Sequence, residues 1–161
     1  MKVNDFVRTQ TIEVEYHPLT KKKIKETFLD DQGRPHRDDG PALRTFSPTG
    51  LELSSTYFQH GVITRGDGPA IELIDLENQY HKLVGMKGGL IDREGGPAEI
   101  CTDLISGVEF SVCFYRQNKM HRVGGEALIT RDRSTGEINA KFAVIDGQQQ
   151  PLSSLADFTP G

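Results

Sequence analysis

The chain has no tryptophan, only two cysteines, and few apolar residues: 35% of its 161 residues are hydrophobic. Two cysteines are too few for a disulfide-stabilised scaffold of this length, so we expect Cys101 and Cys113 to be buried free thiols. The small apolar fraction favours a protein with a thin core, such as a sheet built from repeats.

Long apolar runs are also missing. No run approaches the roughly 18 residues of a membrane-spanning helix, and no apolar segment follows Met1 as it would in a secretory signal. The sequence therefore predicts a cytoplasmic protein with no membrane partner. A formal net charge of −4 disfavours nucleic acid as a partner, because an acidic protein repels phosphate backbones.

The usual signatures of catalysis and metal binding are absent from the sequence as well. There is no G-x-S-x-G, no H-E-x-x-H and no phosphate-cradling motif, and no Cys/His spacing is typical of a zinc site. We therefore expect no catalytic residue, no metal and no cofactor, and the chain is predicted not to be an enzyme.

What the chain has instead is a ten-residue phrase that occurs four times. The copies begin at Gly33, Gly61, Gly89 and Asn118, so they are offset by 28, 28 and 29 residues. The first copy reads Gly-Arg-Pro-His-Arg-Asp-Asp-Gly-Pro-Ala, and we number its residues as positions 1 to 10. A nearly constant period in this range is typical of a repeat architecture.

Between the copies, apolar and polar residues alternate with the period of half-buried strands, as in residues 108–115 and 138–145. Turns rich in Gly and Asn separate these stretches, including primed-type turns such as Gln32-Gly33. Each repeat is expected to hold two strands and two turns, and short connections make consecutive strands neighbours. The predicted fold is all-β: an antiparallel meander of about nine or ten strands.

A single domain is predicted over residues 1–161. It consists of a degenerate N-terminal cap, four repeats and a C-terminal cap, with the bounds 1–23, 24–50, 51–78, 79–107, 108–136 and 137–161. Terminal repeats are expected to deviate because they close an open stack. The C-terminal cap is compatible with a short helix over residues 153–158.

Several phrase positions are assigned a structural role. The Gly at position 8 is expected to redirect the chain through a bulge or a positive φ, and the small Ala at position 10 to allow close backbone packing. The Arg at position 5 is expected to tie carbonyls or a carboxylate across the loop, or alternatively to form a row that grips an acidic partner. These residues are Arg37, Arg65, Arg93 and Arg122, with Gly40, Gly68, Gly96 and Gly125.

Position 4 holds a histidine in two copies, His36 and His121, and Thr64 and Asp92 in the other two. A catalytic histidine is not expected to recur on a repeat register. We therefore expect loop histidines whose hydrogen bonds are satisfied locally.

The phrase resembles the HRxDGPA hairpin repeats of phage and giant-virus proteins, and it is similar in outline to the MORN repeat. The resemblance covers about residues 24–147 and is carried best by residues 36–42; in the fourth copy Glu126 replaces the proline. The period is longer than that of MORN repeats, so no lipid binding is implied. The phage-type resemblance implies an accessory protein that acts by binding, in the host cytoplasm if the origin is viral.

These observations favour a non-enzymatic, protein-binding β-repeat protein. The more specific prediction is a phage-encoded inhibitor of a host defence protein, or an immunity-type protein, whose partner is a host or toxin protein. The candidate binding residues are exposed aromatics beside the repeat turns and two arginines: Tyr57, Phe58, Phe114, Tyr115, Arg65 and Arg93. Of two adjacent aromatics on a strand, only one is expected to face outward.

Two alternatives stay open at this point. One is a small-ligand or enzymatic site on the sheet, and the other is self-assembly through exposed edge strands. The oligomeric state and the identity of the partner are not contained in the sequence.

Overall fold

The computed structural model describes residues 10–151, which form strands and turns and contain no helix. They divide into two compact units, residues 10–62 and 63–151, and the boundary falls inside the second copy of the phrase. The short helix expected over residues 153–158 and the first nine residues of the N-terminal cap lie outside the described residues.

Eighteen strands lie in residues 10–151. The first unit holds β1 (Thr11–Tyr16), β2 (Lys23–Leu29), β3 (Leu43–Phe46), β4 (Glu52–Thr56) and β5 (Phe58–Gln59), and β6 (Val62–Ile63) crosses the boundary. The second unit holds β7 (Ile71–Asp75), β8 (Tyr80–Val84), β9 (Met86–Lys87), β10 (Leu90–Ile91), β11 (Glu99–Asp103), β12 (Glu109–Cys113), β13 (Tyr115–Arg116), β14 (Lys119–Met120), β15 (Leu128–Arg131), β16 (Ile138–Phe142), β17 (Val144–Ile145) and β18 (Gln148–Gln149).

The ten longer strands form the predicted meander. In the first unit the order is β1-β2-β3-β4, and in the second it is β7-β8-β11-β12-β15-β16, with antiparallel pairing throughout each unit. Within each unit, every long strand pairs with the next long strand along the chain, as expected from the tendency of sequential strands to be neighbours. The all-β antiparallel prediction is confirmed.

Short hairpins form a second set of strands, which the sequence pattern does not predict. β9 pairs with β10, β13 with β14, and β17 with β18, through two residue pairs each. Both turn residues have a positive φ in Gly88-Gly89, Gln117-Asn118 and Asp146-Gly147. Two consecutive positive φ values define the type I′ turn, as the Gly and Asn residues predict. A repeat therefore holds more strands than the two expected.

The first copy of the phrase departs from this pattern. Gly33 has a positive φ of 73°, but Gln32 does not, and an isolated bridge between Leu29 and Pro35 stands where later copies have a hairpin. The primed turn expected at Gln32-Gly33 is therefore wrong. Instead, Gly33 N–H donates to Asp30 O at 3.0 Å.

The core is thin and consists mainly of small side chains. Among the described residues, no large side chain is fully buried, whereas the alanines at position 10 are at most 1% exposed: Ala42, Ala70, Ala98 and Ala127. The two cysteines are free and buried, as predicted, and burial raises the pKa of both thiols.

Three of these alanines, Ala42, Ala98 and Ala127, are hydrogen-bonded through both their N–H and C=O groups. Ala98 N–H donates to Cys113 O at 2.9 Å, and Ala98 O accepts from Gly85 N–H at 2.6 Å. Ala127 repeats the pattern in the next copy, with Phe142 O and Phe114 N–H at 2.8 Å each. The alanine is thus hydrogen-bonded to the two backbone segments that flank it in the structure, and its methyl group fills the space between these segments.

We expect Ala98→Val to destabilise the fold by about 1–3 kcal/mol, because two added methyl groups must enter a fully packed site. Denaturant unfolding measures the change. Ala140→Val is the matched control: Ala140 is half-buried in β16, where a β-branched residue suits the strand, and its effect should stay within about 0.5 kcal/mol. Equal losses in the two variants would contradict the assignment of a packed alanine site.

The turns that join long strands are held by a carboxylate at the strand's end. Asp103 Oδ1 accepts hydrogen bonds from the N–H groups of Ile105 and Ser106 at 2.9 and 2.8 Å. These bonds, with the Ser106 N–H contributing most, lower the pKa of Asp103 to about 2. Asp132 is held in the same way, and the Ser134 hydroxyl is the main cause of its pKa of about 2.

Arg133 joins three of these turns in the second unit. Its Nε donates to Asp103 Oδ2 at 2.8 Å, and its Nη2 donates to the carbonyls of Asn78 and Gln79 at 2.9 and 2.7 Å. The guanidinium also lies over the Phe110 ring, 4.6 Å from its centroid. One side chain therefore fixes turns that are more than 50 residues apart in sequence.

The pKa values predict how stability depends on pH. Asp103 and Asp132 have pKa values of about 2, below the ordinary 3.8, so their contribution is complete above the unfolded-state pKa. We expect the free energy of unfolding to fall as the pH drops from about 4 to about 2, and Asp103→Asn to make this slope shallower. Glu77→Gln, at an exposed carboxylate in the second unit, is the control and should leave the slope unchanged.

Candidate functional site

Each copy of the phrase forms a loop that is bonded to the next copy. Position 1 donates its N–H to the carbonyl of position 3 in the preceding copy, at 2.8 Å from Gly61 to Pro35, 2.9 Å from Gly89 to Ile63 and 2.9 Å from Asn118 to Ile91. These bonds set one register for successive loops. Equivalent side chains therefore recur at equivalent places, which is what builds a site from repeats.

Position 4 supplies an acceptor for the next turn. His36 Nδ1 accepts from His60 N–H at 3.3 Å, Thr64 Oγ1 from Gly88 N–H at 3.1 Å, and His121 Nδ1 from Asp146 N–H at 3.2 Å. Because imidazole and hydroxyl can both accept this bond, His and Thr interchange here. The expectation of locally satisfied loop histidines is confirmed.

Sequence reasoning missed a polar cluster in the first unit. The rings of His36 and His60 are stacked with their centroids 3.9 Å apart. His60 Nδ1 lies 2.9 Å from Asp30 Oδ2, and Arg34 Nη2 lies 2.8 Å from the same oxygen. The bond from His60 is the main cause that holds the pKa of Asp30 well below its usual range. The sequence spacing does not indicate this cluster, because Asp30 and His60 lie in different repeats and outside the copies of the phrase.

The Arg at position 5 closes its own loop. In the first two copies Nε donates to the carboxylate at position 7, Arg37 to Asp39 and Arg65 to Asp67, at 2.7 Å each. These bonds lower the pKa of both carboxyl groups. In three copies Nη1 donates to the carbonyl of position 9, at 3.2 Å from Arg65, 3.2 Å from Arg93 and 3.1 Å from Arg122. The expected tie across the loop is thus present.

The Gly at position 8 makes room for this guanidinium. The positive φ expected there is wrong, since it is found at none of Gly40, Gly68, Gly96 and Gly125. A Cβ atom would lie 3.1 to 3.2 Å from the Arg Cζ in the first, second and fourth copies, and 3.5 Å from Arg Nε in the third. The constraint is therefore contact with the arginine rather than backbone conformation.

This contact predicts a coupling between the two positions. Gly68→Ala should destabilise the fold by about 1 kcal/mol, because the new methyl group displaces the Arg65 guanidinium from its acceptors. Adding Arg65→Ala should remove most of the penalty of Gly68→Ala, and a double-mutant unfolding cycle measures this. Gly96→Ala is the control with ordinary contacts and a smaller cost. An additive cycle would contradict the steric explanation.

An aromatic ring supports the arginine in some copies. Arg37 Cζ lies 4.1 Å from the Phe28 centroid, and Arg122 Cζ lies 4.0 Å from the Phe114 centroid. Phe28 and Phe114 each donate their backbone N–H to the position-10 carbonyl of the same copy. In the third copy Gly85 makes this bond and therefore occupies the equivalent position. Arg93 therefore has no ring beneath it from this position, and it is exposed.

A cleft of about 340 Å³ lies between the third and fourth copies, wholly within the second unit. The residues that line it are Arg93, Gly95, Gly96, Phe114, Tyr115, Arg116, His121, Arg122 and Val123. Three of the six candidate binding residues, Arg93, Phe114 and Tyr115, are thus brought together. Arg65 is not among the lining residues, and Tyr57 and Phe58 belong to the first unit.

The arginines of the cleft differ in their acidic partners. Arg116 is paired with Glu94 at 3.1 Å and with Asp92 at 3.5 Å. Among residues 10–151, by contrast, no carboxylate lies within ion-pair distance of Arg93 or Arg122. Two guanidinium groups that line one cleft are therefore not neutralised by an ion pair within residues 10–151.

The cause of this difference lies in the phrase itself. Position 7 is Asp39 and Asp67 in the first two copies but Gly95 and Gly124 in the last two. Arg122 helps to lower the pKa of Glu126, but that carboxylate is bonded to Lys141 Nζ at 3.0 Å. The sequence thus carried a signal for the cleft: arginine at position 5 without aspartate at position 7.

Both neighbouring aromatics line the cleft. Phe114 lies in the break between β12 and β13, where strand alternation is interrupted, so the expectation that only one of two adjacent aromatics on a strand faces outward does not apply to this pair. Both residues are half-buried, and burial raises the pKa of the Tyr115 hydroxyl. The cleft therefore combines apolar walls with guanidinium donors.

Comparison with known proteins yields no match to a family model, a curated protein or a solved structure. The resemblance to HRxDGPA-type and MORN repeats stays a prediction. Within the described part of the chain, no group of three His, Cys, Asp or Glu side chains is placed to hold a metal ion.

A helix that is long and apolar enough to cross a membrane does not occur in residues 10–151.

Proposed function

We propose that this protein acts by binding a protein partner through the cleft of its second unit, without catalysing a reaction. The observation that carries the proposal is the gathering of Arg93 and Arg122 with Phe114 and Tyr115 around one cleft. Arginine and aromatic side chains in partly desolvated pockets supply most of the energy at protein interfaces.

The cleft is held ready for a partner by bonds within the chain. Arg122 lies over the Phe114 ring and donates to Glu126 O, and Arg93 donates to Pro97 O. Side chains that are already oriented lose less conformational entropy when a partner binds. Preorganisation of this kind favours binding as the function of the cleft.

The proposal includes the inhibitory role that the sequence resemblance implies. An inhibitor of a host or toxin protein has only to cover a surface that its target needs, and a cleft with two arginines and two aromatic rings is suited to anchor it there. Small-ligand binding in the same cleft is the alternative, and it differs in its outcome, because a metabolite rather than a peptide would then be bound selectively.

Self-association is a second candidate, and the strand β16 favours it. In the described residues β16 has one long-strand neighbour, β15, and its other edge is free. Ile138 and Phe142 on this strand, and Ile145 after it, are 55%, 36% and 38% exposed. An edge strand with exposed apolar side chains is a template for pairing with another chain.

The proposal is tested with peptides selected on the full chain from a random twelve-residue display library. Tyr115→Ala and Val123→Ala should weaken the selected peptides about tenfold, because both remove apolar wall from the cleft. His17→Ala and Leu51→Ala, at described positions outside the cleft, are the controls. Each variant is checked for an unchanged melting temperature.

Other outcomes discriminate between the functions. If none of the cleft variants changes the affinity of the selected peptides, the proposal is overturned. An average molar mass from light scattering that rises with protein concentration in the wild type but not in Phe142→Ser would favour self-association. Selective binding of a metabolite, with no peptide recovered, would favour a small-ligand site.

A further inference from the structure

We infer that the cleft accepts an acidic segment of the partner, whose carboxylates bind Arg93 and Arg122 as Asp39 and Asp67 bind Arg37 and Arg65. This inference rests on the proposed function and specifies the chemistry of the ligand. The repeat supplies the argument, because the same arginine can be compared in copies with and without its own acid.

The first two copies show what the arginine at position 5 binds. Arg37 and Arg65 each donate Nε to an aspartate oxygen at 2.7 Å, a length typical of a charge-assisted hydrogen bond. The acceptor side chains are 80% and 84% exposed, so the bond forms at the surface and not in a closed core. A carboxylate from another chain can approach such a donor in the same way.

The last two copies keep the arginine and lose the acid. Position 7 is Gly95 in the third copy and Gly124 in the fourth, and these are the two copies that line the cleft. Each of the two arginines still donates Nη1 to the position-9 carbonyl, so the guanidinium keeps its place in the loop. Its Nε has no hydrogen-bond acceptor within residues 10–151. The two donor sets therefore converge on one cleft.

The local charge fits carboxylates better than a polyanion. Asp92 and Glu94 already engage Arg116, so among the arginines that line the cleft Arg93 and Arg122 are the two without an ion pair in residues 10–151. The chain as a whole carries a net charge of −4, which repels a nucleic-acid backbone. One or two carboxylates can be neutralised here, whereas a run of phosphates would meet the acids beside Arg116.

The apolar wall specifies the segment further. Val123 is 72% exposed at the edge of the cleft, beside the half-buried Phe114 and Tyr115. An acidic residue next to an apolar one matches this combination of guanidinium and hydrophobic surface. The probe is therefore a short peptide that carries both.

The direct test is an NMR titration of the 15N-labelled full chain with acetyl-Glu-Leu-Glu-amide. We expect the Nε–H signals of Arg93 and Arg122 to shift, and that of Arg37, already bonded to Asp39, to stay in place. Acetyl-Gln-Leu-Gln-amide is the uncharged control and should cause no shift. Equal shifts with the two peptides, or shifts at Arg37 as large as those at Arg93, would overturn the inference.

A twelve-residue oligothymidylate in the same titration tests the competing ligand class. Absence of shifts at Arg93 and Arg122 agrees with a carboxylate ligand. Shifts of these signals at lower concentrations than the glutamate peptide requires would replace the acidic segment by a phosphate ligand.

A series of charges at position 123 tests the same inference with the peptides selected from the display library. Val123→Asp should weaken them about tenfold, Val123→Lys should strengthen them, and the near-isosteric Val123→Thr should change little. Arg93→Gln should weaken them and Arg37→Gln should not. Melting temperatures report that each variant is folded.

The two proposals fail in different ways. The selected peptides could depend on Tyr115 yet contain no excess of Asp and Glu and respond equally to Val123→Asp and Val123→Lys. This result would overturn the inference of an acidic ligand and leave the proposal of a binding cleft intact. Peptides that are insensitive to every cleft variant would overturn both.

Discussion

The buried alanine at position 10 is the constraint on which the rest of the structure depends. Its N–H and C=O groups bond to the segments on either side, and its methyl group is all that fits between them, as at Ala98 and Ala127. Each loop begins and ends at such a point, so the loops repeat in one register. Within this register the arginine at position 5 is held by its bonds to the position-7 carboxylate or to the position-9 carbonyl.

The sequence predicted this frame because its signals are local and repeated. Alternating residues, Gly-containing turns and the 28-residue period were sufficient for the ten long strands and for three of the type I′ turns, although not for the turn at Gln32-Gly33. Two kinds of feature were not predicted from the sequence. The short hairpins have only two residues per strand, which is too few to show a periodicity. The φ angle at Gly68 was predicted wrongly, because a glycine can be required either for a positive φ or for close contact with a neighbouring group.

The candidate site was predicted in part for a related reason. Arg93, Phe114 and Tyr115 were selected by residue type, and the fold brings them to one cleft. Arg65 was selected on the same grounds, but it closes its loop on Asp67. What separates the two arginines is the residue two positions later, a difference that acquires meaning only when the side-chain geometry of the loop is known.

A core made of alanines also determines how the protein responds to temperature. The heat capacity of unfolding grows with the apolar surface that becomes exposed, and here no large side chain among the described residues is fully withdrawn from water. The stability curve is therefore broad and shallow for a chain of this length.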